Sequence, residues 1–190
     1  MNTSTRIWKP RLAESDDIPA LEALIPLSVR QLQSGHYSNA QMESALGTIF
    51  AVDRQLISDR TYFVVESEGQ IVGCGGWSKR AAGYGGDHSR PEPDPILDPR
   101  CDAARIRAFF VHPNRARQRI GSSILLASEQ ASIAAGFSTA ELVATLAGQP
   151  LYAAFGYSAV ERYEIPMQNG LTLPVVRMTK NFRADGGYNR

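Results

Sequence analysis

Apolar positions along the chain follow two periods, and the places where one gives way to the other divide the chain into elements. Residues 6–13, RIWKPRLA, read as a first strand, which Pro10 confines to an edge or a bulge because proline cannot donate to a ladder. Glu14, Ser15, Asp16 and Asp17 supply N-cap candidates and acidic first-turn residues. Ile18, Leu21, Leu24, Ile25, Val29 and Leu32 then recur at helical spacing, with Pro26 inside the pattern predicting a kink or a split. Gly35-His36-Tyr37 breaks the chain. Ser38 and Asn39 cap a second helix whose stripe is Met42, Leu46, Ile49 and Phe50, and a short helical piece follows over Val52 to Ile57. The period next changes to two. Thr61 to Glu66 reads as a strand, Ser67-Glu68-Gly69-Gln70 as a hairpin turn, and Ile71 to Ser78 as the returning strand. Gly73, Gly75 and Gly76 weaken that strand and predict close backbone approach or a bulge.

After a long connection over 79–104 the pattern resumes with its most informative stretch, strand, basic turn and helix. Ile106 to Val111 is β-branched and aromatic, and His112-Pro113-Asn114 ends it. From Gly121 onward Ile124, Leu125, Ala131 and Ala135 keep helical spacing until Gly136. A strand within Ser138 to Thr145, a short helix over Gly148 to Tyr157, and strands over Ser158 to Ile165 and Leu173 to Met178, with Asn169-Gly170 turning between them, complete a mixed α/β order. Residues 184–190 read as a frayed tail, so the folded region is expected over 6–180, with a tail at 181–190.

Composition changes this picture little. The 190 residues carry a net charge of +1, which implies no bulk attraction to nucleic acid or to membranes. Charge is uneven, however: Arg100 to Ile120 holds six arginines against Asp102 alone. Arg115, Arg117 and Arg119 crowd a helix start, an end that already carries roughly half a positive charge. Either a bound anion compensates them, held by helix amides and guanidinium groups, or they are three solvated arginines on a turn. Cys74 and Cys101 form neither a metal pattern nor a disulfide framework, and as isolated thiols they fit a reducing cytoplasm. The N-terminus has no apolar h-region, and no run approaches the roughly 20 apolar residues that span a bilayer. The turn carries neither G-x-x-x-x-G-K-S/T nor G-x-G-x-x-G, which argues against a nucleotide-binding enzyme.

V-H-P followed by A-R-Q-R-I-G-S-S-I-L-L resembles the acetyl-coenzyme A pyrophosphate loop of the GCN5-related N-acetyltransferases (GNAT), R/Q-x-x-G-x-G/A. The pattern runs from Ala116 to Gly121. Ala116 replaces the leading Arg or Gln, Arg119 replaces the first glycine, and Gly121 matches. L-Y-A-A-F-G-Y at 151–157 resembles the family's second signature, L-Y-x-x-x-G-F, with Tyr157 for Phe, while Thr145 stands where the family often has Asn. The resemblance covers residues 6–180. It implies a mostly antiparallel sheet of six to seven strands, splayed at the cofactor cleft and flanked by about four helices.

It also implies acetyl-coenzyme A as co-substrate, without a metal. Phe109, Phe110 and Val111 would bind pantetheine through their main chain, and an amide near Val111 would polarise the thioester carbonyl. Arg117, Gln118, Arg119, Ile120, Gly121 and Ser122 would hold the pyrophosphate. Tyr152 aligns with the general acid, since a phenol of pKa about 10 can protonate a leaving thiolate; from the residues alone it could equally be a core aromatic. The general base stays open among His112, Asp87, His88 and Glu141, and His112 suits a structural role as well. The implied reaction is direct attack on the thioester by a primary amine of a small molecule, peptide or protein. A non-catalytic acyl-coenzyme A-binding module is the alternative. The long 79–104 connection is a candidate substrate lid or a plain insertion, and a homodimer is possible.

Overall fold

The computed structural model describes residues 7–85 and 94–182. Seven strands form one open sheet: β1 (Arg11–Leu12), β2 (Tyr62–Ser67), β3 (Gln70–Ser78), β4 (Ala104–Val111), β5 (Thr139–Thr145), β6 (Ser158–Pro166) and β7 (Thr172–Asn181), in the spatial order β1-β2-β3-β4-β5-β7-β6. All neighbours are antiparallel except the central pair β4–β5. Five helices cover it: α1 (Ile18–Leu32), α2 (Asn39–Ala45), α3 (Arg54–Ser58), α4 (Ile120–Ala134) and α5 (Gln149–Ala154). The predicted α/β class, mostly antiparallel sheet and element order are those of the structure, with one helix more than expected.

Three expected elements differ. The first strand was predicted over 6–13, but only Arg11 and Leu12 pair with β2. Pro10 offers no N–H, and Trp8 turns its indole away to donate to the Gln118 carbonyl at 2.6 Å. Pro26 does not split α1. It removes a single bond to the carbonyl one turn earlier, while the buried stripe Leu21, Leu24, Ile25, Ser28 and Val29 fastens both halves to the core. The second helix stops at Ala45, short of Ile49 and Phe50. Leu46 is extended, Gly47 takes φ +77°, and a tight turn closes with the Gly47 N–H on the Phe50 carbonyl.

Elsewhere local chemistry explains the boundaries. Ser38 and Gln41 cap α2 reciprocally, and Asp53 Oδ1 accepts from the Gln55 and Leu56 amides to start α3. Glu68 and Gly69 both have positive φ, the signature of a type I′ hairpin turn. The glycines of β3 are sites of close approach. A Cβ on Gly73 would lie 2.3 Å from Ile120 Cγ2, so Gly73 lets α4 settle on the sheet; one on Gly75 would lie 2.7 Å from the Phe109 ring.

The sheet opens at its centre. β4 and β5 pair only from Ala104↔Ala140 to Ile106↔Leu142. Beyond that β4 follows β3 as far as Val111↔Gly73, and β5 follows β7 as far as Thr145↔Val175. The divergence coincides with a bulge, in which Ala108 and Phe109 face only Gly75 and Ala108 takes φ +60°. The buried Tyr62 hydroxyl donates to the Ala108 carbonyl at 2.8 Å and so satisfies a group that the bulge takes out of the ladder. Among the described residues no helix is long and apolar enough to cross a membrane.

Candidate active site

The splay between β4 and β5 opens into a cavity of about 540 Å³ that runs from the turn before α4 to the end of α1. The loop end is shaped by backbone. Arg117 and Arg119 occupy the left-handed region, at φ +63° and +65°. For residues with a side chain this costs about 1–2 kcal/mol each, strain that persists where a site over-determines the conformation. Arg119, the departure from the loop pattern, therefore adopts the backbone that glycine would take there. The first amides of α4, from Ile120 to Ser122, have no partner within the helix by geometry and emerge at the cavity. The guanidinium groups of Arg117 and Arg119 have no carboxylate partner among the described residues, whereas Arg115 reaches Glu68 at 3.4 Å. Trp8 holds the loop from behind through the Gln118 carbonyl.

Gly121 lies on the inner face of the first turn, where a Cβ would stand 3.2 Å from Leu151 and 3.9 Å from Val111. Phe109 turns its ring over Gly75 towards Tyr152, edge to face at 5.9 Å, and Phe110 points to the other side of the sheet, edge to face with Phe50 at 6.1 Å. The Val111 amide faces into the splay. It already has an acceptor there, Ser28 Oγ of α1, at 3.2 Å.

Tyr152 stands on α5 at the junction of the two ends of the cavity. Its residue is 7% exposed, and Phe109 and Tyr157 hold its ring from two sides. The hydroxyl makes no hydrogen bond among the described residues. Burial pushes its pKa upward, so the phenol keeps its proton at neutral pH. Gly148 allows this packing: a Cβ there would meet the Tyr152 ring at 3.4 Å, and its amide is held by the Thr145 carbonyl and hydroxyl.

The candidate bases divide. His112 Nδ1 accepts from the Asn114 amide at 3.2 Å and caps the short turn after β4. Glu141 is gripped by Arg105 at 2.5 Å and by Arg177 at 3.3 Å. Asp87 and His88 lie outside the described residues, as does the middle of the proposed lid. The described ends of that connection are anchored. Arg80 pairs with Asp59 at 2.7 Å, the Ala81 N–H donates to the Pro95 carbonyl and the Leu97 N–H to the Lys79 carbonyl, and the Arg107 guanidinium donates to the Ala82 and Gly85 carbonyls. Arg107 is itself paired with Asp53 at 2.8 Å, both almost wholly buried. Cys74 is buried and its thiol is pushed up to about 12 by burial, which makes it unreactive; Cys101 is exposed.

Sequence reading passed over Trp8, Ser28 and Gln33. Ser28 and Gln33 continue the apolar stripe of Leu21, Leu24, Ile25 and Val29, and a polar residue at such a position is the signal that could have found them. Both are buried and line the cavity. Gln33 Oε1 has no hydrogen-bond partner, an arrangement that costs about 1–3 kcal/mol in a folded protein.

Known proteins share this fold. A family model described as "Acetyltransferase (GNAT) domain" matches residues 58–159, the span from the last residue of α3 through the splayed strands and α4 to the start of β6. No curated protein matches the chain. Among solved structures, a GCN5-related N-acetyltransferase from Rhodopseudomonas palustris superposes with a TM-score of 0.70 at 21% identity, covering 95% of this chain and 99% of the other. The paia N-acetyltransferase from Thermoplasma acidophilum, in complex with coenzyme A, gives 0.62 at 14% identity, covering 93% and 99%. A GNAT acetyltransferase from Brucella melitensis, in complex with acetyl-coenzyme A, gives 0.55 at 16% identity, covering 93% and 88%. With its family match spanning more than half its length and its sheet opened by the same kind of splay that the loop and L-Y-x-x-x-G-F resemblances imply, the chain belongs to the GNAT acetyltransferase family.

Proposed function

We propose that this protein is an acetyl-coenzyme A-dependent N-acetyltransferase acting by direct attack of a primary amine of a small molecule, peptide or protein. The observation that carries the reading is the opening of β4 from β5 between a loop of outward amides and two arginines without a carboxylate partner among the described residues on one side and the Tyr152 hydroxyl on the other. The co-substrate supplies an activated acetyl group as a thioester. The Ile120 to Ser122 amides, with Arg117 and Arg119, hold its pyrophosphate. The backbone of Phe109 to Val111, left without a strand partner on the β5 side, takes the pantetheine arm.

The Val111 amide then aims at the thioester carbonyl, where it stabilises the negative charge that develops on oxygen. In the unliganded cavity Ser28 Oγ occupies this amide. A carbonyl seated there exchanges one acceptor for another, and the Ser28 proton becomes a second donor. As the C–N bond forms and the C–S bond breaks, Tyr152 gives its proton to the departing sulfur, and the proton shed by the amine nitrogen passes through water to the phenolate left behind. Its raised pKa keeps that proton in place until a thiolate appears in the same dry surroundings. The two unpaired cysteines fit a cytoplasmic setting.

A second reading, a non-catalytic acyl-coenzyme A-binding module, is favoured by one observation: among the described residues no carboxylate lines the cavity. One experiment separates the two. Calorimetric titration with acetyl-coenzyme A, with dephospho-coenzyme A and ATP in parallel, is followed by a screen of amines for thiol release. Micromolar binding selective for acetyl-coenzyme A with turnover on an amine supports the transferase. Binding without turnover on any amine supports the module. No binding by folded protein removes both.

A further inference from the structure

The end of the cavity away from the loop is lined by side chains of α1, the turn after α2, β5 and β7, and it contains one group without a role in the fold. Gln33 is 7% exposed, lines the cavity, and its Oε1 is unpartnered. Its backbone is fully used, since the carbonyl accepts from the His36 and Tyr37 amides and the N–H donates to Val29. Among the described residues the side chain makes no hydrogen bond. Other glutamines behave differently: Gln41 caps α2 and donates to the Thr172 carbonyl, and Gln55 donates to Asp59. A buried carboxamide at a cavity wall, with neither its donor nor its acceptor used among the described residues, is a group left for a ligand to satisfy. A half-turn about its last bond exchanges oxygen and nitrogen, so it can present either.

Two further observations narrow the ligand. The charged side chains that the described lining offers are arginines, Arg107, Arg115, Arg117 and Arg119. A polycationic acceptor finds no counter-charge there. Arg107 is neutralised by Asp53, so this end is apolar more than cationic; an amine must be neutral to attack, and apolar surroundings favour that form most readily for an amine of low basicity. An α-amine titrates near pH 8 against about 10.4 for a lysine side chain, so the lining suits the former. The second observation is placement: Ser28, the residue on the Val111 amide, and Gln33, at the C-terminal end of α1, line the same cavity, so one helix serves both the reacting end of the acceptor and its amide.

We infer that the Gln33 carboxamide recognises the acceptor, and that the acceptor is an α-amino amide with an apolar side chain, the group found at a peptide N-terminus. The apolar part faces Leu32, Ile49, Phe50, Val143 and Leu173, and the amide meets Gln33. This assignment rests on the acetyl-transfer reading. Gln33 is a positioning residue; it touches the acceptor away from the reacting atoms.

The test uses the full chain saturated with coenzyme A, titrated calorimetrically with phenylalaninamide, phenethylamine and spermidine, for the wild type and for Gln33→Leu. Phenylalaninamide should bind the wild type about tenfold more tightly than phenethylamine, and spermidine most weakly. In Gln33→Leu the advantage of the amide should shrink to within about twofold, with acetyl-coenzyme A affinity unchanged and the melting temperature equal or higher, because an unpartnered polar group has been removed. A lowered melting temperature with the preference intact would show a merely structural glutamine. A wild-type preference for phenethylamine or spermidine, or no affinity for any of the three in protein that binds coenzyme A, overturns the assignment. Failure to bind coenzyme A at all overturns the underlying reading instead. Gln33→Glu provides a second variant, expected to gain affinity for spermidine; no gain, with the amide preference kept, also counts against the assignment.

Discussion

The two ends of the cavity are made in different ways. The loop end comes from one continuous stretch, β4 to the first turn of α4, and works through its backbone: a bulge at Ala108, two left-handed arginines, and the first amides of a helix. The far end is assembled from α1, the turn after α2, β5 and β7, and works through side chains such as Ser28 and Gln33. Backbone recognition needs a chain path and little more, so it tolerates arginine where the loop pattern has glycine. Side-chain recognition depends on residues brought together from far apart, and it can be retuned one residue at a time. A conserved chemistry with a changeable acceptor is what such a division of labour permits.

Three substitutions test this contrast. Gly121→Glu should break the loop end, because a carboxylate beside the Ile120 to Ser122 amides crowds and repels a pyrophosphate. Acetyl-coenzyme A affinity should fall at least about 100-fold by calorimetry in a variant that circular dichroism shows to be folded. Normal affinity would sink the loop assignment. Tyr152→Phe acts at the joint between the ends. The ring contacts with Phe109 and Tyr157 remain, so affinity should hold while kcat falls about 100-fold. Unchanged turnover would remove Tyr152 from the acid role. Arg119→Gly should have the smallest effect and separates conformation from charge. Relief of the left-handed strain, about 1 kcal/mol, should raise the melting temperature by about 2–4 °C, while loss of one cation weakens acetyl-coenzyme A binding about fivefold. Tighter binding with the same melting temperature would mean that the side chain obstructs the loop.

The same contrast explains what could be read from the sequence. The strand, turn and helix around Arg117 to Ser122 were legible because each signal is local: β-branched run, proline stop, helical period, glycine stop. So were the β3 glycines, whose clustering announced close approach before Ile120 and Phe109 could be seen to supply it. Trp8 on Gln118, Ser28 on Val111 and Tyr62 on Ala108 were not legible. Their partners are 110, 83 and 46 positions away, and a side chain's distant partner leaves no period in the chain. The length of the first strand and the stop at Ala45 were misjudged for a related reason. Trp8 left the sheet for a distant carbonyl, and a Gly47 turn overrode a helical stripe that continued on paper.

The chain holds two tryptophans, and the fold gives them unequal surroundings. Trp77 is sealed in the core against Phe137, at 5.8 Å between ring centroids. Trp8 places its indole N–H on the carbonyl of the loop residue next to Arg119, on the reverse side from the outward amides. One emitter is thus insulated while the other is wired to the loop. Occupation of that loop should therefore change the emission of Trp8, with Trp77 as internal standard and no label attached; titration with acetyl-coenzyme A checks it.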